Sequence, residues 1–226
     1  MITPSIRAVV FDLDGLLFNT EELYQHVGSE ILRRRGKLFE TDLLNAMMGR
    51  PPRVSLQLMI DYHQLDATVE QLAQETQQVF AWVLDDRLAL MPGASELLSA
   101  LEKMQLPKAI ATSSGRSFVT NVLSRFQLEP RFDFILTCED IVDGKPNPEI
   151  YLKAANRFGI APQEMMVLED SQNGCRAAVT AGAFAVAVPG GHSRTHDFTG
   201  AALIAESLRD PRIYAVLGNS ALECSE

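Results

Sequence analysis

The stretch Ala8-Val9-Val10-Phe11-Asp12-Leu13-Asp14-Gly15 joins four apolar residues to two acids and a glycine. A continuous apolar run of this kind is what a strand covered on both faces of a parallel sheet requires. In open sheets of that type, ligands bind beyond the carboxyl ends of the strands, which is where the two acids fall. An Asp in that place also serves as a turn former or a helix cap. The rest of the chain decides between these uses.

Further along, short apolar runs recur at Lys108-Ala109-Ile110-Ala111, Phe134-Ile135-Leu136, Met165-Met166-Val167-Leu168 and Phe184-Ala185-Val186-Ala187-Val188. Amphipathic stretches lie between them at 94–103, 117–126, 148–158 and 172–181. Strands alternating with helices predict an α/β fold with a doubly wound parallel sheet. The block from about Thr20 to Asp86 has another texture. Its apolar residues fall at helical spacing, with Tyr24, Val27, Ile31 and Leu32 in one run and Leu72, Val79, Phe80 and Val83 in another. The expectation is a small all-helical domain over 18–88, inserted after the first strand of a core formed by 1–17 and 89–226. Met91-Pro92-Gly93 marks the return. No repeat or low-complexity segment is present, which excludes a solenoid.

The residues after each strand form a set. They are Asp12-Leu13-Asp14-Gly15, then Thr112-Ser113-Ser114-Gly115, then Gly144-Lys145-Pro146-Asn147-Pro148, then Glu169-Asp170-Ser171. Each has an ordinary use alone, as turn, cap or solvated loop. Together, at matching topological positions, they fit phosphoryl transfer. Asp12, Glu169 and Asp170 offer hard oxygen ligands of the kind that suit Mg²⁺. Lys145 and the metal would neutralise carboxylate and phosphate, so that Asp12 can attack phosphorus. Asp14 stands two residues on, placed to protonate the leaving oxygen and later activate water. Ser113 and the amides near Ser114, before a helix starting at about Arg116, are candidates to cradle phosphate oxygens.

Bulk properties narrow the class. The 20 basic and 29 acidic residues sum to −9, which argues against nucleic acid as a partner. The three cysteines, Cys138, Cys175 and Cys224, have no disulfide or zinc spacing, and Cys138 and Cys175 read as buried thiols. No apolar run reaches the roughly 18 residues that span a bilayer, so no membrane partner is expected. The start of the chain has no signal-peptide layout, and a cytoplasmic protein is the default expectation. The four histidines show no metal spacing, and Arg33-Arg34-Arg35 reads as a solvated helix face.

The four motifs resemble those of the haloacid dehalogenase superfamily, in the members with a helical cap after the first motif. Leu168-Glu169-Asp170-Ser171-x-x-Gly174, running on to Ala181-Gly182, resembles the branch that contains sugar-phosphate phosphatases and β-phosphoglucomutases. The resemblance implies a Mg²⁺-dependent phosphatase acting on a small phosphorylated substrate, a sugar phosphate foremost, through an aspartyl-phosphate. It makes Asp12 the nucleophile and a metal ligand, and Asp14 the acid/base with its backbone carbonyl on the metal. Ser113 and Lys145 hold the phosphate, and Asp170 holds the metal with Glu169 beside it. The metal set is then Asp12, Asp14, Glu169 and Asp170, with Ser114 in the phosphate loop. The cap would close over the core, and Arg50, in Met48-Gly49-Arg50-Pro51, would grip a second group of the substrate. A monomer or weak homo-oligomer is expected.

Departures from the family pattern sort the alternatives. Asn19 stands where an Asp commonly precedes the hydroxyl residue. Asp14 argues against dehalogenation, which has no leaving group to protonate. Lys37, the only lysine of the expected cap, lies away from the substrate-facing loop, which argues against Schiff-base chemistry. Tyr24 replaces the His that β-phosphoglucomutases commonly carry. A phosphohexomutase remains the alternative, and a non-enzymatic binding protein is opposed by the intact Asp12, Asp14, Lys145 and Asp170.

Overall fold

The computed structural model describes residues 5–47 and 52–218. Arg50 with its loop, and Cys224, lie outside the described residues. The chain begins with β1 (Ala8–Phe11) and then runs through four helices, α1 (Thr20–Arg33), α2 (Thr41–Met47), α3 (Pro52–His63) and α4 (Val69–Arg87). Strand and helix alternate from there: α5 (Ala94–Lys103), β2 (Lys108–Ala111), α6 (Arg116–Arg125), β3 (Phe134–Leu136), α7 (Glu149–Phe158), β4 (Met165–Glu169), α8 (Gln172–Ala181) and β5 (Phe184–Ala187). Two short elements close the described chain, β6 (Leu203–Ile204) and α9 (Pro211–Val216).

All strand pairs are parallel, in the order β3-β2-β1-β4-β5-β6. The chain winds one way from β1 to β3 and then returns to place β4 on the other side of β1. The reversal opens a crevice at the carboxyl ends of β1 and β4. Register carries the two strands there together, with Phe11 opposite Leu168 and the Asp12 amide donating to the Leu168 carbonyl at 3.0 Å. Every residue of β1, β2 and β4 is buried, which accounts for their unbroken apolar sequences. One face of the sheet packs on α7 and α8 through Ala154, Ala155, Ala177 and Ala178, whose small side chains let helix and sheet approach closely.

The chain divides into two compact units, Met1–Phe18 with Leu90–Glu226, and Asn19–Ala89. In the helical unit, Leu23, Val27, Ile31 and Leu32 of α1 and Leu72, Val79, Val83 and Leu84 of α4 are buried. Burial of each such side chain contributes roughly 1.5–3 kcal/mol. Tyr24 is off this stripe: it is half exposed and stacks on Phe80 with ring centroids 4.9 Å apart. Thr68 and Gln71 form a reciprocal capping box that starts α4. At the base of this unit, the Asn19 side chain bridges to the returning segment. Its amide nitrogen donates to the Arg87 carbonyl at 3.1 Å, and its oxygen accepts the Ala89 amide at 2.8 Å. An aspartate accepts but cannot donate, so here the neutral side chain makes a bond the charged one would lose.

One expectation changes. Cys138 is exposed, because it sits in a 3-10 turn, Cys138–Asp140, with no buried residue, just after the buried Thr137; Cys175 is buried as expected. The sixth strand and α9 are too short for periodicity to register, although Asp210-Pro211 is a start signal and Asp210 does accept the Arg212 amide. Among the described residues, no helix is long and apolar enough to cross a membrane.

Candidate active site

At the carboxyl end of β1, Asp12 is 7% exposed and Lys145 reaches it from the loop before α7. That loop is held by Glu149, whose carboxylate accepts the Val142 and Asp143 amides at 3.0 and 2.9 Å. The Lys145 ammonium donates to Asp12 Oδ1 at 2.5 Å, to Glu169 Oε1 at 2.6 Å and to the Ala111 carbonyl at 2.9 Å. These three bonds use all three ammonium protons. The ends of β1, β2 and β4 are thereby tied together by one buried cation.

Negative charge still exceeds positive. Asp12, Glu169 and Asp170 are all buried and offer oxygens within 4.8 Å of one another. Burial pushes the Asp12 carboxyl up to about 8, and Glu169 and Asp14 add to the rise, while Lys145 opposes it. Burial disfavours the Lys145 ammonium, yet Asp12 and Glu169 outweigh it and hold its pKa well above the usual lysine value. A cluster of hard oxygen donors with surplus negative charge and one lysine fits a small divalent cation such as Mg²⁺.

The β4 end is shaped by a tight local network. Ser171 caps α8 by accepting the Gly174 amide at 3.1 Å and donates its own hydroxyl to Glu169 Oε2 at 3.1 Å. The Glu169 carboxylate lies over Gly174 so closely that a Cβ there would fall 1.8 Å from Oε1. The glycine three residues after Ser171 is thus a requirement of the Glu169 side chain.

Asp14 follows Asp12 on a turn in which Gly15 adopts φ +75° and its amide donates to the Phe18 carbonyl at 2.9 Å. Asp14 Oδ2 accepts the Ser114 hydroxyl at 2.5 Å and the Thr112 hydroxyl at 3.3 Å. The β1 and β2 loops therefore meet at this carboxylate. Ser113 is exposed, whereas Thr112 is fully buried. The Ser114 amide donates to Thr112 Oγ1 at 3.0 Å, and the Arg116 amide donates to both Glu139 oxygens at 3.1 Å. The first turn of α6 is thus partly capped by a carboxylate of the same chain. Gly190 lies near the Gly15 carbonyl, which would be 3.8 Å from a Cβ at 190.

Sequence reasoning passed over two residues. Thr112 was grouped with its neighbours, yet it is the hydroxyl that is buried against Asp14. Tyr151 belongs to the apolar stripe of α7 and is fully buried; its hydroxyl donates to Glu169 Oε1 at 2.5 Å. The Lys145 ammonium lies 5.1 Å from its ring centroid. A tyrosine inside an apolar stripe needs a partner for its O–H, which was the available signal.

A doubly wound sheet, a helical insert after its first strand, and a buried lysine–carboxylate cluster at the switch point define an α/β protein of the doubly wound class with a cluster of carboxylate oxygens at its sheet edge. A sequence profile of the haloacid dehalogenase-like hydrolases matches residues 9–188. The chain belongs to that family. It is 32% identical over 177 residues to a phosphorylated carbohydrates phosphatase of Thermotoga maritima, covering 78% of this chain and 82% of that one. It is 31% identical over 193 residues to a validoxylamine A 7'-phosphate phosphatase of Streptomyces hygroscopicus, covering 84% and 87%. A crystal structure of a Thermotoga maritima protein proposed to be a β-phosphoglucomutase superposes with a TM-score of 0.80 at 28% identity, covering 94% and 97%.

Proposed function

We propose that this protein is a phosphatase that hydrolyses a small organic phosphate, a sugar phosphate foremost, through an aspartyl-phosphate on Asp12. The observation that carries the reading is the buried Asp12 carboxylate, held by Lys145 at the β1–β4 crevice with a second acid two residues on. Two relatives, named as a phosphorylated carbohydrates phosphatase and a validoxylamine A 7'-phosphate phosphatase, support it.

Asp12 attacks phosphorus, the bond from phosphorus to the ester oxygen breaks, and Asp14 gives its proton to the departing alkoxide. Asp14 then takes a proton from water, whose oxygen attacks the phosphoryl group; inorganic phosphate leaves and the Asp12 carboxylate is restored. The hydroxyls of Ser114 and Thr112 fix the Asp14 carboxyl through its Oδ2. Lys145 holds Asp12 in place and offers its charge to the phosphoryl oxygens. Asp12 and Asp170, with the Asp14 carbonyl, would hold Mg²⁺, which supplies charge neutralisation for carboxylate and phosphate.

Phosphate release from a generic aryl phosphate in Mg²⁺ tests this reading. Asp12→Asn is expected to lower the rate at least about a thousandfold while the protein stays folded; an equal rate refutes the nucleophile. A second reading, a phosphohexomutase, draws on the 0.80 TM-score neighbour. It predicts isomer formation in place of phosphate release.

A further inference from the structure

The metal set expected from the sequence includes two neighbouring acids at the end of β4, Glu169 and Asp170, and the hydrogen bonds treat Glu169 as something other than an open ligand. Its Oε1 accepts from Lys145 at 2.6 Å and from Tyr151 at 2.5 Å. Its Oε2 accepts from the Ser171 hydroxyl at 3.1 Å and the Ser171 amide at 3.4 Å. A carboxylate has about four acceptor positions, and the chain itself fills them. Glu169 is 1% exposed and lies against Gly174, whose missing side chain leaves it the space it occupies.

Tyr151 is the donor that completes this set from across the core. It projects from α7, is fully buried, and brings no charge of its own. A phenylalanine would fill the same space and leave one acceptor position of Oε1 open. We infer that Tyr151 is a positioning residue: its O–H keeps Glu169 as the counter-anion of Lys145 and out of the cation's coordination shell, leaving that shell to Asp12 and Asp170. The inference rests on the phosphatase reading for its kinetic arm and on metal binding alone for its other arm.

Tyr151→Phe separates this role from simple packing. Mg²⁺ titrated into the protein by calorimetry is expected to bind no more weakly than in the parent, because a freed Glu169 oxygen adds to the site. At the same time kcat on the aryl phosphate is expected to fall about tenfold with KM within about twofold, because Lys145 loses its fixed counter-anion. A packing defect would weaken Mg²⁺ binding and turnover together. Weaker Mg²⁺ binding in the variant, or an unchanged kcat, overturns the proposal. Should Tyr151→Phe fail to fold, Glu169→Gln and Asp170→Asn decide it by Mg²⁺ titration. Glu169→Gln is expected to stay within about threefold of the parent, while Asp170→Asn loses at least about thirtyfold. Equal losses overturn it. A parent protein that binds Mg²⁺ but releases no phosphate sinks the phosphatase reading and leaves this titration to stand by itself.

Discussion

In the core unit, Lys145 lies between Asp12 and Glu169 with side-chain exposures of 5%, 10% and 1%. In the helical unit, Arg34 and Arg35 meet Glu75 at 44%, 28% and 19%. The chemistry of the partners is the same and the setting is opposite. Desolvating the first group costs more than the pairing returns unless every proton and lone pair is used, as they are for Lys145. The second group stays near water, where pairing is worth little. The costly cluster sits at the sheet's switch point, where the proposed chemistry would use it; the helical ion pairs lie on a partly solvated face.

This contrast can be broken in three ways. Lys145→Met, which leaves buried Asp12 and Glu169 without their cation, is expected to lower stability by about 3–5 kcal/mol in a urea titration at pH 9. Unchanged stability would mean that the cluster is not an ion-paired unit. Next in size is a proton linkage. Below pH about 8 the Asp12 carboxyl carries a proton that Mg²⁺ must displace. Mg²⁺ affinity should therefore weaken up to about tenfold per pH unit below that point and level off above it. The sign for stability is the reverse of an ordinary salt-bridged acid. The folded pKa of Asp12 lies above its unfolded 3.8, so its contribution in the metal-free protein is full below 3.8 and is lost as pH rises through about 8. Melting temperatures with and without Mg²⁺ at pH 6 and pH 9 read both effects. The smallest change belongs to the helices: Glu75→Ala is expected to cost under about 1 kcal/mol, and less still in high salt.

The sheet was legible because each of its central strands is an unbroken apolar run, and α5 and α8 because amphipathic periods end at Lys103 and Ala181, where helix and pattern agree. Reading past the strand ends singles out Asp12, Asp14, Lys145, Glu169 and Asp170, and the fold brings Asp12, Lys145, Glu169 and Asp170 together. The rest depended on information that spacing does not carry. Which of three consecutive hydroxyl residues is buried depends on how the chain turns after Ala111, and only the fold shows that Thr112 and Ser114 reach Asp14. Tyr151 is a core residue of α7, and its second use lies in one hydroxyl that donates to Glu169. The amide of Arg116 is committed to Glu139, which is distant in sequence, so the capping of α6 could not be foreseen from its own residues.

The ribbon at the base of the insert has a practical corollary. Met91 donates its amide to the Leu17 carbonyl at 2.9 Å, Phe18 bridges Leu90 in antiparallel sense, and Asn19 donates its amide to the Ala89 carbonyl at 3.1 Å. The outgoing and returning chains thus run side by side, at a spacing that a two-residue hairpin spans. The two ends of residues 20–88 are therefore close enough for the insert to be exchanged as a cassette without re-routing the sheet.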